Sequence, residues 1–133
     1  MQKAVTAILL ADAGIAGVVA QRVYPNGFPQ GAVRPAIAVS TAASEPYYDD
    51  AGEAGLDRAR FQIDCQASTF GAAKDLAAAV RAALSAYTGD IAGYGVQLAT
   101  LEDERDFREG GANAAEYLHT VQMDFTVWAA EIA

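Results

Sequence analysis

The stretch Leu56-Asp57-Arg58-Ala59-Arg60-Phe61-Gln62-Ile63-Asp64-Cys65-Gln66-Ala67 divides its side chains by parity. The apolar positions are Ala59, Phe61, Ile63, Cys65 and Ala67. The polar positions between them are Arg58, Arg60, Gln62, Asp64 and Gln66. A period of two predicts a β-strand with one buried and one polar face. We therefore take the strand Leu56–Ala67 as the centre of the fold.

The same alternation returns at Tyr117–Ala129, where Val121, Met123 and Phe125 share one face with other apolar residues. The matching patterns predict that this strand and the central one are antiparallel neighbours in one sheet. Shorter alternating stretches predict two further strands, at Ala36–Thr41 and Val96–Leu101. A long hairpin would join the strand Val96–Leu101 to the last one.

Three segments have helical spacing of apolar residues, at Lys3–Asp12, Ala13–Ala20 and Ala72–Tyr87. The third is the clearest, because Ser68-Thr69 offers an N-cap and Gly89 lies where a helix would stop. Its apolar side should pack on the apolar face of the sheet. The pattern predicts an α+β fold, a two-layer sandwich of a mostly antiparallel sheet with helices on one face, in a single domain over residues 1–133.

The connections between these elements are rich in turn formers or charge. Val23–Gly31 reads as a turn-rich connection, and Ser44–Gly55 as a loop. In that loop Glu45, Asp49, Asp50 and Glu53 surround Tyr47 and Tyr48, which raises the possibility of a metal site. The spacing lacks the calcium-loop pattern, so a solvated or partner-facing loop is favoured. Glu102–Arg108 mixes both charge signs and reads as a solvated strand end or loop.

Composition narrows the class of protein. Among 133 residues, 17 acidic side chains against 9 basic ones give a net charge of -8, which argues against direct nucleic-acid binding. The single cysteine, Cys65, lies on the apolar face and indicates a packed thiol in a reducing compartment. No apolar stretch predicts a membrane span and no pattern predicts a signal peptide, so we expect a soluble intracellular protein.

Groups that could carry chemistry have plainer structural interpretations. His119 falls on the apolar face, so a buried, hydrogen-bonded histidine is favoured over a catalytic one. Asp64 and Asp124 could lie close together, with more carboxylates at Glu102, Asp103, Glu104 and Asp106. Nearby arginines favour an ion-pair network over an acid–base site: Arg58, Arg60, Arg105 and Arg108. The sequence assigns no catalytic residue, no cofactor and no metal ligand, and it favours an interaction protein.

An ordered set of landmarks resembles the tail terminator, or tail completion, family of long-tailed bacteriophages and gene transfer agents. The set is Val23-Tyr24-Pro25, Pro29-Gln30, Arg34-Pro35, Arg60-Phe61-Gln62-Ile63-Asp64-Cys65, Leu76–Leu84, Tyr117 and Asp124-Phe125-Thr126-Val127-Trp128. Its order and spacing cover nearly the full length. One departure follows Pro35, where this chain has small and aliphatic residues in place of the family's aromatics.

The resemblance implies a non-enzymatic virion component of the tail–neck region, assembled in the bacterial cytoplasm. Such proteins form hexameric rings that cap the head-proximal end of the tail tube, end its polymerisation and join the tail to the head connector. The implied partners are other copies of the chain, the major tail tube protein and the head–tail connector protein. DNA would pass through the channel without specific binding, and no membrane is involved.

Within that role, the charged segments Glu45–Leu56 and Glu102–Asn113 are the predicted contact loops. The candidate interaction surface comprises Tyr47, Tyr48, Asp49, Asp50, Arg58, Arg60, Asp64, Glu104, Arg105 and Arg108. Two alternatives stay open at this point. One is another head–tail adaptor or neck protein, and the other is a small intracellular enzyme with a carboxylate site.

Overall fold

The structure, a computed structural model, describes residues 1–49, 52–110 and 117–132, and the side chains of 45–49 and 52–55 lie outside the description. The elements in chain order are α1 (Gln2–Ala11), α2 (Ala13–Val19), β1 (Val23–Pro25), β2 (Ala36–Asp49), β3 (Gly52–Ala67), α3 (Phe70–Ser85), β4 (Gly89–Ile91), β5 (Tyr94–Glu109) and β6 (Leu118–Glu131). The predicted helices and strands are therefore present, most of them longer than the sequence indicated.

One six-stranded sheet has the order β1-β2-β3-β6-β5-β4. Its two central strands are β3 and β6, which pair antiparallel from Leu56 opposite Ala130 to Ala67 opposite His119. This pairing confirms the neighbours predicted from alternation. The short edge strand β1 pairs parallel with β2, and the other pairs are antiparallel. The predicted β5–β6 hairpin is also confirmed.

The core lies between the helices and the apolar face of the sheet. Phe61 of β3 stands opposite Phe125 of β6, and neither side chain is exposed to solvent. Helix α3 contacts β3, β5 and β6 and contributes Leu76 and Val80 to the same cluster. Removing each of these apolar side chains from water stabilises the fold by about 1.5–3 kcal/mol.

Local signals explain where α3 begins but not where it ends. The Thr69 hydroxyl accepts a hydrogen bond from the Ala72 backbone N–H at 3.2 Å, as expected of an N-cap. The helix ends with Ala86 as its C-cap, so the predicted stop at Gly89 is wrong. Gly89 instead opens β4, in a conformation with φ of 133° that favours glycine.

The predicted loop Ser44–Gly55 is wrong, since β2 continues to Asp49 and β3 begins at Gly52. Register shifts between Thr41 and Ala43 and between Pro46 and Tyr48 keep the two strands paired. The first shift accommodates one extra residue of β2, and the second accommodates two extra residues of β3. Pairing with β3 therefore overrides the low strand propensity of a proline- and acid-containing sequence. Asp50 lies outside the described residues.

The turn-rich connection Val23–Gly31 contains a strand that the sequence did not predict. β1 pairs over Val23–Pro25, and the Asn26 N–H then donates to the Val39 carbonyl at 2.9 Å before the chain turns. Asn26 and Gly27 have positive φ, so the turn itself follows directly after β1. A three-residue edge strand is too short to produce a periodic pattern.

The predicted α+β class is confirmed. The sheet is curled, and the two-layer sandwich stays a prediction. No single described helix is long and apolar enough to cross a membrane; α1 and α2 reach that length and composition only as a pair bent by 91°.

Candidate functional site

The face of the sheet turned away from the helices is called the open face. Its centre is built by cross-strand neighbours of β3 and β6: Arg58 with Trp128, Arg60 with Thr126, Gln62 with Asp124, Asp64 with Gln122, and Gln66 with Thr120. This is the mixed-charge plane that alternation predicted. Ala43 of β2 and Thr100 of β5 extend it on either side, opposite Arg60 and Thr126.

A register shift in β5 decides which of its charges reach the open face. The shift falls between Leu101, opposite Phe125, and Asp103, opposite Asp124. Beyond it, Arg105 pairs with Gln122 on the open face, whereas Glu104 pairs with Met123 on the side of the helices. The structure therefore divides the candidate residues. Arg58, Arg60, Asp64 and Arg105 share the open face, and Glu104 and Arg108 lie on the opposite side.

Asp124 is the centre of an ion-pair network on the open face. Its carboxylate accepts a hydrogen bond from Arg105 Nη1 at 3.3 Å and lies 3.9 Å from Arg60 Nη2. Arg105 also contacts Asp103 and donates to Gln122 Oε1 at 2.5 Å. The hydrogen bond to Asp124 raises the pKa of Arg105. These contacts agree with the predicted structural network, in which positive and negative groups neutralise one another.

Asp64 is the least satisfied charge in this region. Partial burial raises the pKa of its carboxyl, an effect opposed by hydrogen bonds from Gln122 and Gln62 and by the charge of Arg105. Its Oδ1 atom is buried without a hydrogen-bond partner among the described residues. Because a buried polar atom without a partner is costly, the charged form of Asp64 destabilises this part of the open face.

The open face is concave near its middle. A depression of about 450 Å³ is lined by Ala43, Arg58, Arg60, Thr100, Glu102, Thr126 and Trp128. The Arg58 guanidinium lies 5.5 Å from the centre of the Trp128 ring, at a distance typical of a cation–π contact. Residues of β2 and β5 line one depression although two strands separate them, as the curl of the sheet requires.

The segment before β2 closes one end of the open face. Arg34 Nε donates to Gln66 Oε1 at 2.8 Å, and the Gln66 amide donates to Thr120 Oγ1 at 3.1 Å and to Glu109 Oε1 at 3.3 Å. Gln66 is consequently only 3% exposed. The expected plane is thus open over Arg58–Asp64 and covered beyond it. This Gln66 hub could not be predicted from the sequence, because Gln66 and its three partners come from four separate segments.

On the opposite side of the sheet, α3 anchors the end of the β5–β6 hairpin. Lys74 Nζ lies 2.7 Å from Asp106 and 3.3 Å from Glu104, and the hydrogen bond to Asp106 raises the pKa of Lys74. His119 is only half-buried, and its ring packs edge-on against Phe70 with centroids 6.2 Å apart. The expectation of a buried histidine is wrong because His119 lies near the start of β6, where α3 begins. Sequence reasoning missed Lys74, although a lone lysine in an alanine-rich helix was a usable signal.

The two long hairpins point in opposite directions along the sheet. Leu56, near the start of β3, stands beside Ala130 at the end of β6, whereas Ala67 stands beside His119 at its start. The last residues of β2 and the last residues of β5 therefore lie at opposite ends of the sheet, called the β2–β3 end and the β5–β6 end. Tyr47, Tyr48 and Asp49 belong to β2 near the first end, and their side chains lie outside the described atoms.

Reactive groups are not gathered at any of these places. Cys65 is fully buried, and that burial raises the pKa of its thiol. Within residues 1–49, 52–110 and 117–132, no group of three His, Cys, Asp or Glu side chains could hold a metal ion. The class that fold and surface define is a small α+β domain whose open face carries an ion-pair network around Asp124.

Comparisons with known proteins refine that class. The sequence model of the family described as "Tail completion protein gp17" matches residues 3–130, so the chain belongs to this family of structural phage tail proteins and is not an enzyme. A solved chain from a structure described as "Virion of native gene transfer agent (GTA) particle" has a TM-score of 0.70 and 22% identity, over 98% of this chain and 94% of that chain. At that identity the likeness shows the fold. No curated protein matches the sequence.

Proposed function

We propose that this tail protein forms a hexameric ring at the head-proximal end of the tail tube. The ring ends tube polymerisation and joins the tail to the head connector. The support is membership in the tail completion family over residues 3–130, together with the same fold in a chain of a gene transfer agent virion. Assembly takes place in the bacterial host cytoplasm, and the finished ring belongs to the neck of the virion tail.

The observation that carries this role is the placement of the two hairpin ends at opposite ends of the sheet. A subunit that terminates a tube needs two different surfaces, one that matches the last tube ring and one that accepts no further tube ring. The β2–β3 end and the β5–β6 end provide such a pair. The described parts of the predicted contact segments Glu45–Leu56 and Glu102–Asn113, residues 45–49, 52–56 and 102–110, run toward these ends. This supports the two segments as the proposed sites for tube and connector.

The two ends differ chemically in the described residues. The β5–β6 end combines Glu104, Asp106 and Arg108 with the exposed aromatic rings of Phe70 and Phe107. Exposed aromatic groups surrounded by charge are typical of protein contact sites. At the other end, the described side chains nearest the turn include Arg58 and Trp128 in their mutual contact. One ring could therefore present distinct surfaces to tube and connector.

The open face supplies a surface for the channel or for a neighbouring subunit. The chain carries a net charge of -8, and Asp124 holds both Arg60 and Arg105 in ion pairs. The ion pairs and the net negative charge both weaken the attraction to phosphate, so in this proposal DNA passes without specific binding. A salt-sensitive, tight association of DNA with assembled rings would contradict this part of the proposal.

Electron microscopy of particles made without this protein tests the role. Loss of a terminator should give tails of uncontrolled length that do not join heads, and the intact gene supplied in trans should restore normal particles. Tails of normal length that stay detached would favour another head–tail adaptor instead. Normal, infectious particles without the protein would contradict both roles.

A further inference from the structure

The sheet has two long edges that its own short strands cover only in part. β1 pairs with β2 only over Ile37–Val39. β4 pairs with β5 only over Tyr94–Val96. Among the described residues, Ser40–Asp49 of β2 and Gln97–Glu109 of β5 therefore have a strand on one side alone.

Unpaired strand edges present backbone donors and acceptors that can add another strand, and proteins ordinarily protect them. The β2 edge has little protection in its described side chains, because Thr41, Ala42, Ala43 and Ser44 are exposed, small and uncharged. The β5 edge is different, being rich in charge, with Glu102, Asp103, Glu104, Asp106 and Glu109 against Arg105 and Arg108. The small side chains of the β2 edge leave room for a strand to approach.

The charges disfavour pairing of two identical β5 edges. A two-fold pair would bring this mainly acidic strand against itself, and like charges opposite one another destabilise a sheet. Contact with the uncharged Ser40–Ser44 part of the β2 edge avoids that repulsion. Ala43 is also the cross-strand neighbour of Arg60. Because the Ala43 side chain is small, an acidic β5 strand added next to β2 would lie close to the basic Arg60 side chain.

Strand direction allows the same pairing. The long strands β2, β3, β6 and β5 are antiparallel in succession, so β2 and β5 run in opposite directions at the two edges. When copies are related by rotation about an axis along the strands, β5 of one copy meets β2 of the next antiparallel. A contact between two different edges of the same chain generates a closed ring when a whole number of copies completes one full turn.

We infer that the Ser40–Ser44 edge of β2 pairs antiparallel with the Gln97–Glu109 edge of β5 in a neighbouring copy of this chain, so that one sheet continues from subunit to subunit. This inference rests on the proposed ring and specifies its interface. The two short edge strands β1 and β4 then limit how far the neighbouring copy can pair. They occupy one end of each long edge and leave the remainder for the neighbour.

Disulfide trapping in assembled particles tests the pairing. Ala43→Cys in β2 is combined with Leu98→Cys, Thr100→Cys or Asp103→Cys on the open-face positions of β5, which together sample the register. The native Cys65 is 0% exposed and does not compete. Mild oxidation of at least one double variant should give a ladder of linked multiples on a non-reducing gel.

The controls separate this interface from other arrangements. Each single variant should stay unlinked, as should Ala43→Cys combined with Arg81→Cys on the exposed side of α3. Dimers from Ala43→Cys alone would mean that two β2 edges meet, which would overturn the inference. If rings are visible by electron microscopy but none of the three double variants gives a ladder, the inference is also overturned, while the ring proposal stays intact.

Hydrogen exchange of wild-type protein covers the case in which the variants fail to assemble. Backbone amides of both edges should exchange at least about tenfold more slowly in particles than in the isolated chain, because pairing removes them from water. Unchanged exchange at both edges in particles that contain rings counts against the sheet interface. The absence of any ring in wild-type particles would contradict the proposed function itself.

Discussion

The two faces of the central strands β3 and β6 differ in environment, although alternate residues of the same two strands supply them. On the helix side, Phe61 and Phe125 are fully buried against α3. One residue away, Arg60 stands on the open face with 53% of its side chain exposed, near an Asp124 side chain that is 14% exposed. Stability should therefore depend mainly on one face and assembly on the other, and substitutions on each face can separate the two.

The largest expected effect is on the helix side. Phe61→Ala leaves a cavity in the packed core and should lower the free energy of unfolding by about 3–5 kcal/mol. Phe107→Ala is the matched control, because Phe107 is 44% exposed and should change stability by less than about 0.5 kcal/mol. Urea denaturation followed by circular dichroism measures both. Equal losses would mean that the faces do not differ as described.

Substitution of Gln66 should have the next largest effect on stability, since this side chain is buried at the covered end of the open face. Gln66→Ala removes the side chain that joins Arg34, Thr120 and Glu109, and leaving such buried groups without partners costs about 1–3 kcal/mol. Gln97→Ala, at an exposed position of β5, should be near neutral. The same denaturation experiment compares them, and a neutral Gln66→Ala would show that the hub does not stabilise this end.

Charge reversal at Arg60 should affect assembly more than stability. Arg60→Glu replaces an exposed partner of Asp124, so the unfolding free energy should fall by no more than about 1 kcal/mol. The yield of particles with joined heads and tails should fall at least tenfold. Arg81→Glu, on the exposed side of α3, is the control and should leave the yield unchanged. A normal yield for Arg60→Glu would indicate that this position is only solvated.

The smallest expected effect is a pH dependence from Asp64. Its pKa is raised above the ordinary value of 3.8, so the folded state holds this proton more tightly than the unfolded state. Its stabilising contribution is present at low pH and is lost as the pH rises from that value through the folded pKa. Asp64→Asn should remove this loss, so the variant gains stability relative to wild type as the pH rises. Urea titrations at several pH values would show parallel curves if Asp64 were unperturbed.

Much of the fold could be predicted because alternation is a property of the strand itself. Leu56–Ala67 and Tyr117–Ala129 were located by parity, and their antiparallel pairing is confirmed. Thr69 began α3 as its side-chain chemistry indicated. The strand residues 44–49 and 52–55 could not be predicted, since proline and acidic residues have low strand propensity and only the pairing of β2 with β3 keeps these residues extended.

The candidate surface was predicted only in part, for a similar reason. Arg58, Arg60 and Asp64 were placed by parity along one strand, whereas Glu104 and Arg105 depended on a register shift that periodicity does not show. Lys74 and Arg34 come from a helix and a connecting segment and reach the sheet through tertiary contacts alone. Their roles could not be derived from spacing.

The sequence by itself determined the class of fold, the central strand pair, the buried position of Cys65 and the family resemblance, because each follows from local alternation, burial preference or ordered landmarks. Only the tertiary structure decided that the β2–β3 and β5–β6 ends lie opposite each other, that Gln66 closes one end of the open face, and that β2 and β5 keep long edges without a strand partner among the described residues. These features depend on strand order and register, which arise when distant segments pair and are not encoded in the period of any one of them.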